Sequence, residues 1–461
     1  MKYILYGILV FLTIGCDKIN DQGATYFGGQ IINPETNFVL FLKDEKVLDT
    51  LLLDDDNRFL KEMPSLTEGL YTFKHGNEFQ YIYFEPSDSI LVRLNTLEFD
   101  QSIVFSGKGS AKNEFLINLY LQNAQEERMM YQNFDLNERD FQAKIDSLSA
   151  DRFAIYNDFF ANEGPVSKGF KKMATIAIHF PLYRLKEVYP IFYKGGYHLE
   201  ELPKVSDAFY NFRKDISLNE ENMVSFYPYQ NYVVSFLYNI SAQLKQNDST
   251  KNDLTVNILN AINENIEAES FKNLLLKRIL MLDFLKSESA CRINEEALQL
   301  FLAKSTNQED IALVNNLVND CNYLAINAPI TNFDIVSAHN IPTTINEVIH
   351  NKNTVVYFWS ANYMSEDYLV SRIQFLEKKY PNLLFVGINM QTSPQDLTVK
   401  SSLKLRSLSN QYTLPKNREA LPFLSSNYPR IILIDDLGKV KNGFINLDSN
   451  KLDSELIKLM N

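Results

Sequence analysis

Thr354-Val355-Val356-Tyr357-Phe358-Trp359-Ser360-Ala361-Asn362-Tyr363-Met364-Ser365-Glu366-Asp367 is the stretch that decides the fold. Val355 to Trp359 is an unbroken apolar and aromatic run. A run of that length, closed by small and polar residues, reads as a strand buried on both faces. Leu369, Ile373 and Leu376 then recur at helical spacing, which makes one apolar stripe along a helix. The reading places Asn362 at the N-cap and Glu366 in the first turn, where the positive end of the helix dipole favours a carboxylate.

Outward from this stretch the pattern continues. Pro381-Asn382 ends the helix, and Leu383 to Ile388 reads as the next buried strand. Tyr428-Pro429-Arg430 leads into Ile431 to Ile434, a turn follows at Asp435 to Gly438, and Val440 to Ile445 pairs back as a hairpin. Ser449 caps a last helix that holds Leu452, Leu456 and Leu459.

Several of these residues, taken together, carry a resemblance. They are Ala328-Pro329 with Phe333 at the entry, Phe358-Trp359 at the strand end, Tyr428-Pro429, and Ile434-Asp435 with Gly438 in the hairpin. From Ala328 onward the chain resembles the TlpA-type branch of the thioredoxin-like superfamily, the membrane-anchored thiol–disulfide oxidoreductases and their peroxiredoxin-like relatives. The resemblance implies a thioredoxin-like α/β domain, a cis-proline at Pro429, and a Cys-x-x-Cys pair at the start of the helix. Aligned on Phe358-Trp359, those two positions hold Tyr363 and Glu366, and no cysteine follows Cys321. Disulfide exchange needs a thiolate, which tyrosine and glutamate cannot supply. Two readings of the turn stay open: a capped structural helix, or a binding groove between Tyr363 and Pro429 used without redox chemistry.

The chain has 461 residues, 57 acidic against 45 basic, and a net charge of −12. An acidic chain without a basic stripe is a poor binder of nucleic acid, and none is expected as a partner. Residues 1–16 place one lysine before an apolar run too short to span a bilayer, and the segment ends Leu12-Thr13-Ile14-Gly15-Cys16. This resembles a bacterial lipoprotein signal with Cys16 as the lipidated first residue. It implies an anchor in an envelope membrane, with residues 17–24 as a tether and an envelope protein or peptide as partner.

Residues 25–108 are rich in short β-prone runs separated by turn residues, and about seven strands suggest a sandwich. Residues 109–325 read as helical, with breaks at Gly164-Pro165, Pro190, Gly195-Gly196 and Asn247 to Ser249; one of the helices is placed at Ser206 to Ser217. On the resemblance, residues 326–461 are expected to form the thioredoxin-like domain. The expected architecture is therefore a multidomain α and β chain: an N-terminal β-sandwich, a central all-α region and a C-terminal thioredoxin-like α/β domain.

Other candidate residues are weighed against plainer roles. Asp54-Asp55-Asp56 is an acidic hairpin tip with no spaced ligand set, so no metal is expected there. The aromatic cluster Phe226, Tyr227, Tyr229, Tyr232, Phe236 and Tyr238 reads as core. His179 reads as a core histidine, and His75, His198, His339 and His350 as superficial. Cys291 and Cys321 are a possible disulfide that an oxidising envelope permits. The chain carries no Ser-His-Asp spacing, phosphate loop, HExxH or paired-cysteine zinc motif, and no cofactor is expected.

Overall fold

The computed structural model describes residues 24–44, 46–76, 78–247, 253–286, 294–361, 363–390, 405–415, 421–449 and 451–460. The chain divides into two compact units. One runs up to Tyr197 and takes in Ser225–Tyr232; the other holds His198–Val224 and the chain from Val233 on. The helical stretch is thus shared between them.

The first unit begins with eight strands: β1 Tyr26–Ile32, β2 Phe38–Lys43, β3 Lys46–Leu52, β4 Arg58–Glu62, β5 Gly69–His75, β6 Glu78–Phe84, β7 Ser89–Asn95 and, after the short helix α1 (Phe99–Ser102), β8 Val104–Lys108. They form two four-stranded sheets, ordered β4-β1-β7-β8 and β3-β2-β5-β6. Phe27 sits between the sheets, with ring centroids 5.1 to 5.8 Å from Phe59, Phe41, Phe73 and Phe84. Alternation along each strand sends these rings to one face, so the two faces close over a shared aromatic core. β4 (Arg-Phe-Leu-Lys-Glu) was not expected. Only Phe59 in it is buried, and a strand with one apolar anchor gives little alternation to read.

Helices α2 (Ser110–Met130), α3 (Glu138–Asn162) and α4 (Lys168–Gly196) follow, and the start of α5 (Tyr227–Asn247) completes the unit. The break expected at Pro190 does not occur: α4 runs through Pro181 and Pro190. An interior proline costs a helix about 3 kcal/mol. Leu182, Leu185, Tyr189 and Pro190 are all buried here, and that apolar area offsets the loss. Of the aromatic cluster read as core, Phe226, Tyr229 and Tyr232 are buried, while Tyr227, Phe236 and Tyr238 are only partly so.

In the second unit the helix expected from Ser206 to Ser217 is a 3₁₀ segment, Asp207–Asp215, in which only Phe209 is buried. Helices α6 (Leu254–Asn265), α7 (Glu269–Lys286), α8 (Glu295–Lys304) and α9 (Gln308–Tyr323) lead to β9 (Asp334–Ser337), β10 (Pro342–Thr344) and α10 (Ile345–Ile349). Then come β11 (Thr354–Trp359), α11 (Glu366–Lys379), β12 (Leu384–Asn389), β13 (Gln411–Thr413), β14 (Arg430–Ile434), β15 (Val440–Ile445) and α12 (Leu452–Met460). The seven strands order as β10-β9-β13-β12-β11-β14-β15.

All six residues of β11 are buried. Val355, Tyr357 and Trp359 face the core built with α11 and α12, where Leu369, Ile373, Leu376, Leu452 and Leu456 lie. Val356 and Phe358 face the opposite core with Phe333, Ile345 and Phe423. β11 pairs in parallel with β12 through the α11 crossover, and antiparallel with β14, which forms a hairpin with β15. A βαβ unit followed by a ββα unit around one central strand is the thioredoxin-like arrangement that the resemblance implies.

His75 is a correction to the expectation of a superficial residue: it is only 1% exposed. Its Nδ1–H donates to the Phe38 carbonyl at 3.0 Å, and its Nε2 accepts from the Glu35 N–H at 2.9 Å. This uses the neutral ring completely, and burial holds its pKa below the usual 6.5. With a depressed folded-state value, the stabilisation is whole above pH 6.5 and is lost as pH falls below it. Denaturant titrations of wild type and His75→Gln across that range should show a larger acid loss in wild type, since His179 is lowered as well and remains in both; parallel curves would contradict this role.

Candidate functional site

The site is built from two segments that β11 and β14 bring together. Phe358 and Arg430 are register partners across these strands, so the turn leaving β11 lies beside the loop entering β14. Ser360 starts that turn: its carbonyl accepts from the N–H groups of Tyr363 and Met364 at 3.0 and 3.3 Å. The expected cap, Asn362, lies outside the described residues. The cap is Ser365, whose side chain accepts from the Tyr368 N–H at 3.2 Å. A hydroxyl at N-cap with Glu366 and Asp367 behind it satisfies orphan N–H groups and the dipole together. The helix therefore begins at Glu366, and Tyr363 stands outside it in the turn rather than one helical turn away on the same face.

Tyr363 is half exposed. Its ring lies edge-on to Tyr428, with centroids 5.3 Å apart at 64°. Tyr428 is mostly buried and packs against Phe284, Leu317, Cys321 and Phe444. Burial raises its pKa, and the nearby Tyr363 adds to the rise. The structure thus brings Tyr363 and the Tyr428-Pro429 loop together.

Pro429 departs from the expected cis form: the Tyr428–Pro429 peptide is trans. Trans is the intrinsic preference of such bonds by about 0.5–1 kcal/mol. Here the chain reverses earlier, at Asn427 with φ +51°. In this form the Tyr428 carbonyl accepts from Arg430 Nε at 3.0 Å.

What holds this loop was not anticipated. Arg430 and Asp320 form an ion pair at 2.7 Å with both side chains fully buried. The Asp320 carboxylate also accepts from the N–H groups of Ser425 and Ser426 at 2.6 and 3.0 Å, and from both serine hydroxyls. Arg430 Nη1 donates to the Phe423 carbonyl at 2.8 Å, and its guanidinium lies 4.9 Å from the centre of the Phe444 ring. Burial pulls the guanidinium below its ordinary pKa, and Asp320 opposes that pull. A signal existed in Arg430-Ile-Ile-Leu-Ile, because a charge opening a buried strand requires a partner. Nothing in the sequence named Asp320, which lies 110 positions away.

The remaining candidates fall elsewhere. Cys16 and Cys291 lie outside the described residues. Cys321 is disulfide-bonded and buried. Asp54 is engaged by its own loop: its carboxylate accepts from the N–H groups of Asp56 and Arg58 at 2.9 and 2.8 Å. Among the described residues, no group of three potential ligands is placed to hold a metal ion. His179 is half-buried and stacks on Tyr183. What remains at the turn is an exposed aromatic, a partly buried aromatic behind it and a helix N-terminus, with no thiol on it.

No family model and no curated protein matches the chain. Among solved structures, it is similar to the thioredoxin domain of a thiol-disulfide oxidoreductase from Bacteroides vulgatus, at 20% identity, over 30% of this chain and 99% of that one, with a TM-score of 0.24. It is also similar to a thiol:disulfide interchange protein from Bacteroides sp., at 21% identity, over 26% of this chain and 80% of that one, with a TM-score of 0.21.

Removing one partner of a fully buried pair leaves an uncompensated charge, at a cost of about 3–5 kcal/mol. Asp320→Ala should lose that much in denaturant unfolding, while Asp320→Leu with Arg430→Met should lose clearly less. Equal losses would show that the charge pairing is not what Asp320 contributes.

Proposed function

We propose that this chain is a thioredoxin-like binding or scaffolding protein of a bacterial envelope, anchored by lipid on Cys16, that does not carry out disulfide exchange. One observation carries the reading: where the resemblance implies two cysteines, the turn presents Tyr363 against Tyr428, and Glu366 is the first residue of the helix. An exposed aromatic with an apolar body and a polar tip, backed by a second ring, suits contact with an envelope protein or peptide. Thiol attack has no cysteine to act through there, since none follows Cys321.

The second reading is a divergent thiol–disulfide oxidoreductase that draws on Cys291 or Cys321. The disulfide state of Cys321 favours it only if that bond is exchangeable, and Cys321 is 8% exposed. A bridge between Cys291 and Cys321 closes a loop of about 30 residues and, in the chain-entropy model, stabilises by about 3–4 kcal/mol.

In an insulin-reduction assay with a small dithiol as donor, the wild-type chain should not exceed the donor alone. Turnover that disappears in Cys291→Ala or Cys321→Ala would move the protein among the enzymes. The anchor is tested separately. The apolar run before Cys16 is too short to hold the chain, so acyl burial at about 0.8 kcal/mol per CH₂ should do it. Cys16→Ser should leave the membrane fraction or stay unprocessed; normal cleavage with retention on the membrane would refute lipidation.

A further inference from the structure

The sheet β4-β1-β7-β8 turns one face to the aromatic core and the other outward. Alternation decides which residues lie out. Phe59, Ile90, Val92 and Phe105 are buried, while Leu60, Leu91 and Val104 are 69, 42 and 55% exposed.

The register joins these three into one band. Leu60 and Leu91 are both partners of Gly28 on the strand between them. A Cβ at Gly28 would lie 2.8 Å from Leu60 Cδ1 and 3.0 Å from Leu91 Cδ2, so the two leucines close over the glycine. Val104 extends the band diagonally, opposite Arg93 on β7.

Charges frame it. Arg58, Arg93 and Lys108 are exposed on the same face, and none of them is in an ion pair among the described residues. The carboxylate in these rows is Glu62, the partner of Tyr26. The acidic turn from Asp54 to Asp56 joins β4 to the other sheet and lies outside the rows. In a chain of net charge −12, this face is cationic.

Its size limits what it can hold. Four strands at about 4.8 Å and five residues at about 3.3 Å give about 300 Å². A stable interface between free proteins needs about 800 Å² on each side. The face is too small to capture a free partner or a second copy by itself. It suits a surface that another attachment already keeps near, where a weak contact is enough. β1 opens this sheet at Tyr26, ten residues after Cys16, and ten residues span at most about 33–36 Å.

We infer that this sheet face lies on the anionic lipid surface of the membrane that carries the anchor. Leu60, Leu91 and Val104 meet the acyl boundary, and Arg58, Arg93 and Lys108 reach lipid phosphates along their apolar stems. The contact rests on the lipidation of Cys16 proposed above.

The lipidated full chain in vesicles of phosphatidylcholine and phosphatidylglycerol tests this, with bromine on the acyl chains as quencher. Leu60→Trp should lose emission when brominated lipid replaces plain lipid. Phe79→Trp, exposed on the outer face of the opposite sheet, should keep it. The one native tryptophan, Trp359, is buried, so wild type sets the background. Leu91→Trp is the second reporter, in case the first does not fold, and should behave as Leu60→Trp. If the chain is membrane-bound and the reporters lose no more emission than Phe79→Trp, the contact is refuted and the anchor stands. If the chain is not membrane-bound, the anchor reading fails and the contact fails with it.

Discussion

The buried pair of Asp320 and Arg430 is the constraint on which the described site depends. Two charges have been taken out of water, and each must be surrounded by donors or acceptors to be tolerated. Five donors converge on Asp320 from Ser425, Ser426 and Arg430. Arg430 spends its other groups on the carbonyls of Phe423 and Tyr428. The segment from Phe423 to Arg430 is thereby fastened to helix α9, and Tyr428 is carried to the place where it meets Tyr363. An apolar pair would hold the same elements together without dictating where the loop's backbone groups point. The ionic pair does dictate it, because every backbone group it uses has one direction.

The turn that carries Tyr363 and leads to Glu366 makes few demands on the core. The central strand, its crossover helix and the hairpin need only apolar burial on two faces, which Val355 to Trp359 and Ile431 to Ile434 supply. The turn between strand and helix is free of that duty. Ser365 caps the helix and Ser360 closes the turn, so the backbone is satisfied whatever Tyr363 does. Tyr363 keeps half its surface in solvent while its ring meets Tyr428.

How much of this was legible follows from the range over which each signal acts. Strands β11, β12, β14 and β15 and helices α11 and α12 were readable because unbroken apolar runs and helical stripes are local patterns. The sequence offers two capping residues three positions apart, Asn362 and Ser365, and only packing decides that the helix starts behind Ser365. β9, β10 and β13 are three or four residues long and were not read at all. His75 looked superficial between turn residues, yet its two ring nitrogens bind the backbone of Glu35 in the loop before β2 and of Phe38 at the start of β2, a pairing that no local pattern encodes. Arg430 was visible as an odd charge; Asp320 was not, since nothing in a helix marks which acid will be its partner.

The measurement closest to the central claim is the nuclear Overhauser effect between the rings of Tyr363 and Tyr428, recorded in wild type and in Asp320→Asn. If the buried pair sets the loop, the contact is present in wild type and lost in Asp320→Asn, while the methyl signals of Val355 and Val356 stay in place. A contact that persists in folded Asp320→Asn would mean that apolar packing around Tyr428 holds the loop without the ion pair.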